Sequence, residues 1–177
     1  FSLIEIMVVI AIVGLMAALI LPRLARRPPS AEWPLVLDDM NNLVFFARQE
    51  AISHQKIHRL RFKQRGKQGL FVVVEEEKPD AQNPSKKIFE RTYSGYFSTE
   101  VKLSELLRID NVFHGKRDEF SENNSEAFCY VVPNGLVQAT IVRITRNYDG
   151  KQDKVSLRMK PFLGKFELLY GHIKAEK

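Results

Sequence analysis

Cysteine is almost missing from this 177-residue chain, in which Cys129 stands alone. A single cysteine excludes an internal disulfide and any Cys-x-x-Cys redox or zinc site. No Gly-rich phosphate loop is present, and the scattered serines and histidines assemble into no nucleophilic triad. His54 and His58 have the spacing of a helical metal pair, but Gln55 stands where a zinc protease needs a glutamate base. No third ligand is evident, and the bland reading is a polar helix end. Asn147, Asp149 and Asp153 lack the later bidentate glutamate of a calcium loop and read as a turn and a solvent-facing strand. These gaps argue against an enzyme, a metal site or a cofactor.

What the chain does carry is a formal net charge of +6 and a pI near 9.5. That excess favours acidic partners such as anionic lipid or nucleic acid, and is silent about fold. It also carries one long apolar run. Residues Phe1 to Leu21 are interrupted by a single acid, Glu5, and hold no basic residue. As a helix such a run measures roughly 30 Å, the thickness of a bilayer's hydrocarbon core. A carboxylate at the bilayer centre costs at least ~2.5 kcal/mol, so Glu5 is expected to be functional. The start on Phe rather than Met predicts a chain that has been cut. Arg23, Arg26 and Arg27 follow the run, an end that the positive-inside rule alone would place in the cytoplasm. A removed basic leader would resolve this.

Phe1-Ser-Leu-Ile-Glu5, the Ile-Met-Val-Val-Ile that follows, Gly14 and Pro22 together resemble the processed N-terminus of the type IV pilin and pseudopilin superfamily. The resemblance implies a leader removed by the prepilin peptidase just before Phe1 and a methylated Phe1 amine. It also implies a role for Glu5 in neutralising the amine of a neighbouring subunit during filament assembly. A buried carboxylate does need a partner. Many major pilins close a loop near the C-terminus with a disulfide, which the lone Cys129 disfavours. Cys129 sits in the apolar stretch Phe128-Cys129-Tyr130-Val131-Val132 and reads as a small buried hydrophobe.

Pro22, Pro28, Pro29 and Pro34 crowd the next segment. Proline inside a helix costs about 3 kcal/mol, so Pro22, Pro28 and Pro29 predict a helix break where the family often keeps one straight stalk. The expected division is an assembly helix over 1–21, a Pro-rich hinge over 22–34 and a globular domain over 35–177. A second helix is predicted from Glu32 to His54, with Met40, Leu43, Val44, Ala47 and Ala51 as its core stripe. Asp38, Asp39, Asn41 and Arg48 fall on its other faces.

From Ile57 the period changes to two. Leu60 and Phe62 alternate with Arg59, Arg61 and Lys63, a half-buried strand with a basic outer face. Residues 66–69 read as a turn, 70–76 as the returning strand and 78–86 as a loop. One or two strands are expected over 88–99, and a long polar loop over 114–126. Residues 127–132, Pro133-Asn134-Gly135 and 136–145 read as a hairpin, because Asn-Gly supplies the positive φ of a tight turn. Residues 147–150 make another turn, Val155, Leu157 and Met159 mark a late strand, and 166–170 a last one. One helix followed by short antiparallel strands is an α+β layout.

Phe46-Ala-Arg-Gln-Glu-Ala-Ile52 and Phe128 to Val132 leading into Pro133-Asn134-Gly135 resemble the GspH/FimT group. There a helix packs on two antiparallel sheets, secretion members are minor pseudopilins and pilus members minor pilins. The resemblance implies a minor pseudopilin of a type II secretion system, anchored in the inner membrane by one span. Its C-terminal domain would lie in the periplasm and join a pseudopilus near the tip. The implied partners are other major and minor pseudopilins, the peptidase, the inner membrane and a secreted substrate. The alternative is a FimT-like minor pilin that binds DNA for uptake. Its candidate face is Arg59, Arg61, Lys63, Arg65 and Lys67, which alternate and would share one side of the strand. Against it stands an ordinary solvated strand face, which Glu75, Glu76 and Glu77 could partly neutralise.

Overall fold

Apolar side chains set at helical spacing in one segment and alternating in the next place one helix among two antiparallel sheets. The computed structural model describes residues 3–25, 32–64, 69–120 and 125–174, the side chains of 19–25 excepted. Phe1, Pro28, Pro29, Arg65 and Lys67 lie outside the described residues. The chain divides into two compact units, Phe1–Pro34 and Leu35–Lys177.

The first unit is built on helix α1 (Leu3–Ala25). Its exposed side chains from Leu3 to Met16 are almost all apolar. Glu5 lies in the first turn, where a carboxylate complements the helix N-terminus. Among the described residues no helix is long and apolar enough to cross a membrane. The helical backbone runs on through Pro22 to Ala25, so the break expected at Pro22 does not occur there. One proline removes a single ladder hydrogen bond, and a helix can absorb that loss as a kink.

Helix α2 (Glu32–His54), which lies in the second unit from Leu35 on, matches the sequence expectation at both ends. Met40, Leu43, Val44, Ala47 and Ala51 are all buried. The first sheet has strand order β3 (Lys87–Arg91), β2 (Leu70–Pro79), β1 (His58–Gln64), β7 (Glu126–Val131), with β4 (Glu100–Lys102) also on β2. Register puts Leu60 opposite Val74 and Cys129, and Phe62 opposite Val72 and Ala127. These side chains share one buried face. Burying Leu60 and Phe62 there contributes about 1.5–3 kcal/mol each.

The second sheet has the order β10 (Lys165–Tyr170), β9 (Lys151–Lys160), β8 (Ile141–Tyr148), β5 (Leu107–His114), β6 (Arg117–Asp118). Ile109, Val112, Val142, Ile144, Val155 and Leu157 form its buried face. A bulge between Ile109 and Asn111 breaks the β5–β8 register. The Asp110 carboxylate at this bulge accepts a hydrogen bond from the Thr145 hydroxyl. The segment after β10 straps the sheet's other face. Ser156 donates to the Gly171 carbonyl at 2.8 Å, and Arg143 Nε donates to that of Ile173 at 3.0 Å.

Three expectations need correction. The stretch 114–126 is not one long loop, since β5 ends at His114 and Arg117–Asp118 folds back on it. Strand β2 runs on to Pro79, past the point where a loop was expected. Residues 127–145 are not a hairpin, because β7 pairs with β1 while β8 pairs with β5 and β9. The tight turn at Asn134-Gly135 does form, with Gly135 N–H donating to the Val132 carbonyl at 2.8 Å. Only the bridge Val131–Val137 follows it before the chain enters the second sheet.

Candidate functional site

The basic stripe of β1 is the charged face on which the sequence placed its binding alternative. Arg59, Arg61 and Lys63 project to the side of the sheet opposite Leu60 and Phe62, and none of the three stands alone. Glu75, opposite Arg59 in register, is 2% exposed. Its carboxylate receives Arg59 at 2.7 Å and Arg61 at 3.0 Å. Lys63 pairs with Glu126 across the β1–β7 ladder. The Lys63 hydrogen bond draws the Glu126 carboxyl below its ordinary range. The Arg59 guanidinium also lies 4.0 Å from the ring centres of both Phe89 and Phe128. A desolvated cation stacked in this way gains up to about 2 kcal/mol. Two glutamates thus pair with the three cations of the described stripe and leave one positive charge in excess, and both arginines are held against the sheet.

The two histidines fall on different elements, and only His54 lies at the helix end. His54 is an exposed residue of the last helical turn, 3.1 Å from Glu50. His58 is fully buried at the head of β1, and burial pushes its imidazole below the ordinary value. Among the described residues no cluster could hold a metal ion. Asp153 pairs with Arg146, and Asp149 sits in the β8–β9 turn. Cys129 is buried beneath the first sheet, and burial pushes its thiol up to about 12. A thiol held that high has almost no thiolate at neutral pH and is inert.

Sequence reasoning missed how α2 fastens to the turns. Arg48 reaches two of them at once. Its Nε donates to the Gly135 carbonyl at 2.8 Å and its Nη1 to the Leu163 carbonyl at 2.9 Å. Two turns earlier, Asn41 Oδ1 accepts the Phe166 N–H at 2.6 Å. The Phe46 ring lies 5.8 Å from that of Phe97, in the connection between β3 and β4. Arg48 was legible only as a polar residue off the core stripe, because its partners are backbone atoms far along the chain. The apolar pair Phe162-Leu163, inside the turn Pro161 to Gly164, was the signal passed over.

No family model matches the chain, and no curated protein does. Among solved structures, the minor pseudopilin EpsH from the Type 2 Secretion System of Vibrio cholerae is similar. The identity is 14%, the TM-score is 0.50, and the match covers 78% of this chain and 97% of that one. A further crystal structure of that minor pseudopilin gives 13% identity and a TM-score of 0.47, over 78% of this chain and 99% of the other. At this identity the likeness is one of fold: α2 and the two antiparallel sheets make a type IV pilin-like fold of the minor-pseudopilin type.

Proposed function

We propose that this chain is a minor pseudopilin subunit of a type II secretion pseudopilus, working by assembly and protein contact rather than by catalysis. The observation that carries the reading is the fold match to EpsH, which extends over 97% of that chain. The apolar residues exposed along α1 from Leu3 to Met16 support it, because such a helix needs an apolar surrounding. Lipid would supply that surrounding before assembly, with the domain in the periplasm, and the helices of neighbouring subunits would supply it in the filament. Glu5 would then set the axial register by pairing with the Phe1 amine of a neighbour, since a buried carboxylate without a partner is strongly unfavourable. The second unit would contact other minor pseudopilins near the tip. Prepilin peptidase would act on the precursor, and a secreted substrate would be a later partner.

Glu5→Gln tests this reading. The variant should still enter the inner membrane but lose incorporation into filaments, read by co-purification with the other pseudopilins from a secreting cell. Normal incorporation would count against the assembly role.

A further inference from the structure

The β9–β10 turn presents an apolar tip that the fold does not use. Phe162 is 84% exposed and Leu163 60% exposed. Their turn is nevertheless fixed. Gly164 has φ +62° and donates its N–H to the Lys160 carbonyl at 2.8 Å. Arg48 holds the Leu163 carbonyl from beneath at 2.9 Å. A Cβ at position 164 would come within 2.3 Å of the Arg48 guanidinium, so the turn and the helix fit closely. A rigid turn that spends two large apolar side chains on solvent has them oriented for something else.

Cations gather around this tip. Lys160 and Lys165 bracket it in sequence, and the Arg48 guanidinium underlies it. Arg158 and Lys160 both pair with the Glu167 carboxylate, at 3.0 and 3.1 Å. On one flank of the turn lies a cleft of about 510 Å³. Phe113, Ile141, Met159 and Pro161 line it together with Lys116 and Arg158. An apolar lining that carries two cations suits an anionic amphiphile. Another exposed aromatic segment has a different character. Tyr96 and Phe97 line a groove with Asp39, and Arg91 nearby is matched by Glu100.

We propose that the β9–β10 turn docks on an anionic lipid surface. Phe162 and Leu163 enter the interface, and Lys160, Lys165 and the cleft cation Lys116 meet the phosphates. Aliphatic and aromatic side chains at a tip with a basic collar combine the two attractions that hold a protein at a membrane interface. Two apolar side chains offer far less than the about 800 Å² a side of a stable protein interface, whereas a fluid surface can close around so small a tip. This inference goes beyond the filament reading and rests on it only for the membrane-seated α1 that brings the domain to the bilayer.

The test uses the full chain reconstituted in vesicles, with an environment-sensitive fluorophore on Phe162→Cys. The buried, inert Cys129 leaves labelling selective. A second sample carries the label on Tyr96→Cys and reports mere proximity to the bilayer. In equimolar phosphatidylglycerol and phosphatidylcholine the position-162 label should shift to the blue and be quenched by lipid-borne quenchers. In phosphatidylcholine alone it should not, and the position-96 label should respond in neither. High salt should reverse the effect, and Lys165→Gln should weaken it about fivefold. Equal responses at positions 162 and 96, or in the two lipids, would overturn the proposal. A response that appears only when other subunits are added would assign the tip to a protein partner and overturn it equally.

Discussion

Glu75 carries more of the first sheet than its place in a run of three glutamates suggests. It is nearly inaccessible and satisfies two guanidiniums, one of them stacked between two phenyl rings. Removing one partner of a buried pair leaves charge unbalanced and costs about 3–5 kcal/mol. Because Arg61 is half-exposed, water can relieve part of that penalty. Glu75→Ala should therefore lower unfolding stability by about 3 kcal/mol in a denaturant titration. Glu77→Ala loses only a pairing with the exposed Lys87, and should cost under about 1 kcal/mol. Equal effects would show that Glu75 is no keystone. In sequence the two glutamates look alike. Their difference comes from register, which sets Glu75 opposite Arg59 on the outer face and places Glu77 beyond the end of β1.

Elements were legible wherever local patterning decided them. The α2 stripe, the alternation in β1 and β9 and the Asp149-Gly150 turn all follow from neighbouring residues. In that turn both φ angles are positive, 46° and 71°, as a two-residue hairpin between twisted strands requires. The β7–β8 hairpin failed as an expectation because Asn-Gly specifies a reversal and not the partner of the strand behind it. Tertiary pairing decided that, with β1 taking β7 over a long loop of chain. Strand β6 was hidden by its polar sequence and its two-residue length. The turn glycines offer a test at this scale. Gly150 and Gly164 both have positive φ, but a Cβ at 150 meets open space while one at 164 meets Arg48. Gly150→Ala should cost about 1 kcal/mol. Gly164→Ala should cost about 1–3 kcal/mol more, an excess that should vanish in an Arg48→Ala background. If the excess survives there, Arg48 is not what the turn is fitted to.

Seen as a whole molecule, the candidate sites were legible to unequal degrees. The basic stripe could be read from alternation, but its ion pairs could not, because Glu75 and Glu126 come from other strands and meet it only in the folded sheet. Net charge says that a chain attracts anions and does not say which cations are free to meet them. Lys63→Gln leaves the Glu75 pairs in place. It should change the salt slope of nucleic-acid binding by much less than the roughly one unit expected of a cation on a phosphate. A loss of about one unit would put Lys63 on a phosphate and revive the DNA-binding alternative. The β1–β7 pairing has a further consequence, in time. Strand β1 is complete at Gln64, yet its neighbour begins only at Glu126. A chain that emerges N-terminus first during synthesis therefore holds β1 half-paired until most of its length is available. Such non-local closure is slow. Meanwhile one side of β1 offers an unsatisfied row of amides and carbonyls, and the period of greatest risk for stray strand pairing falls before the chain is complete.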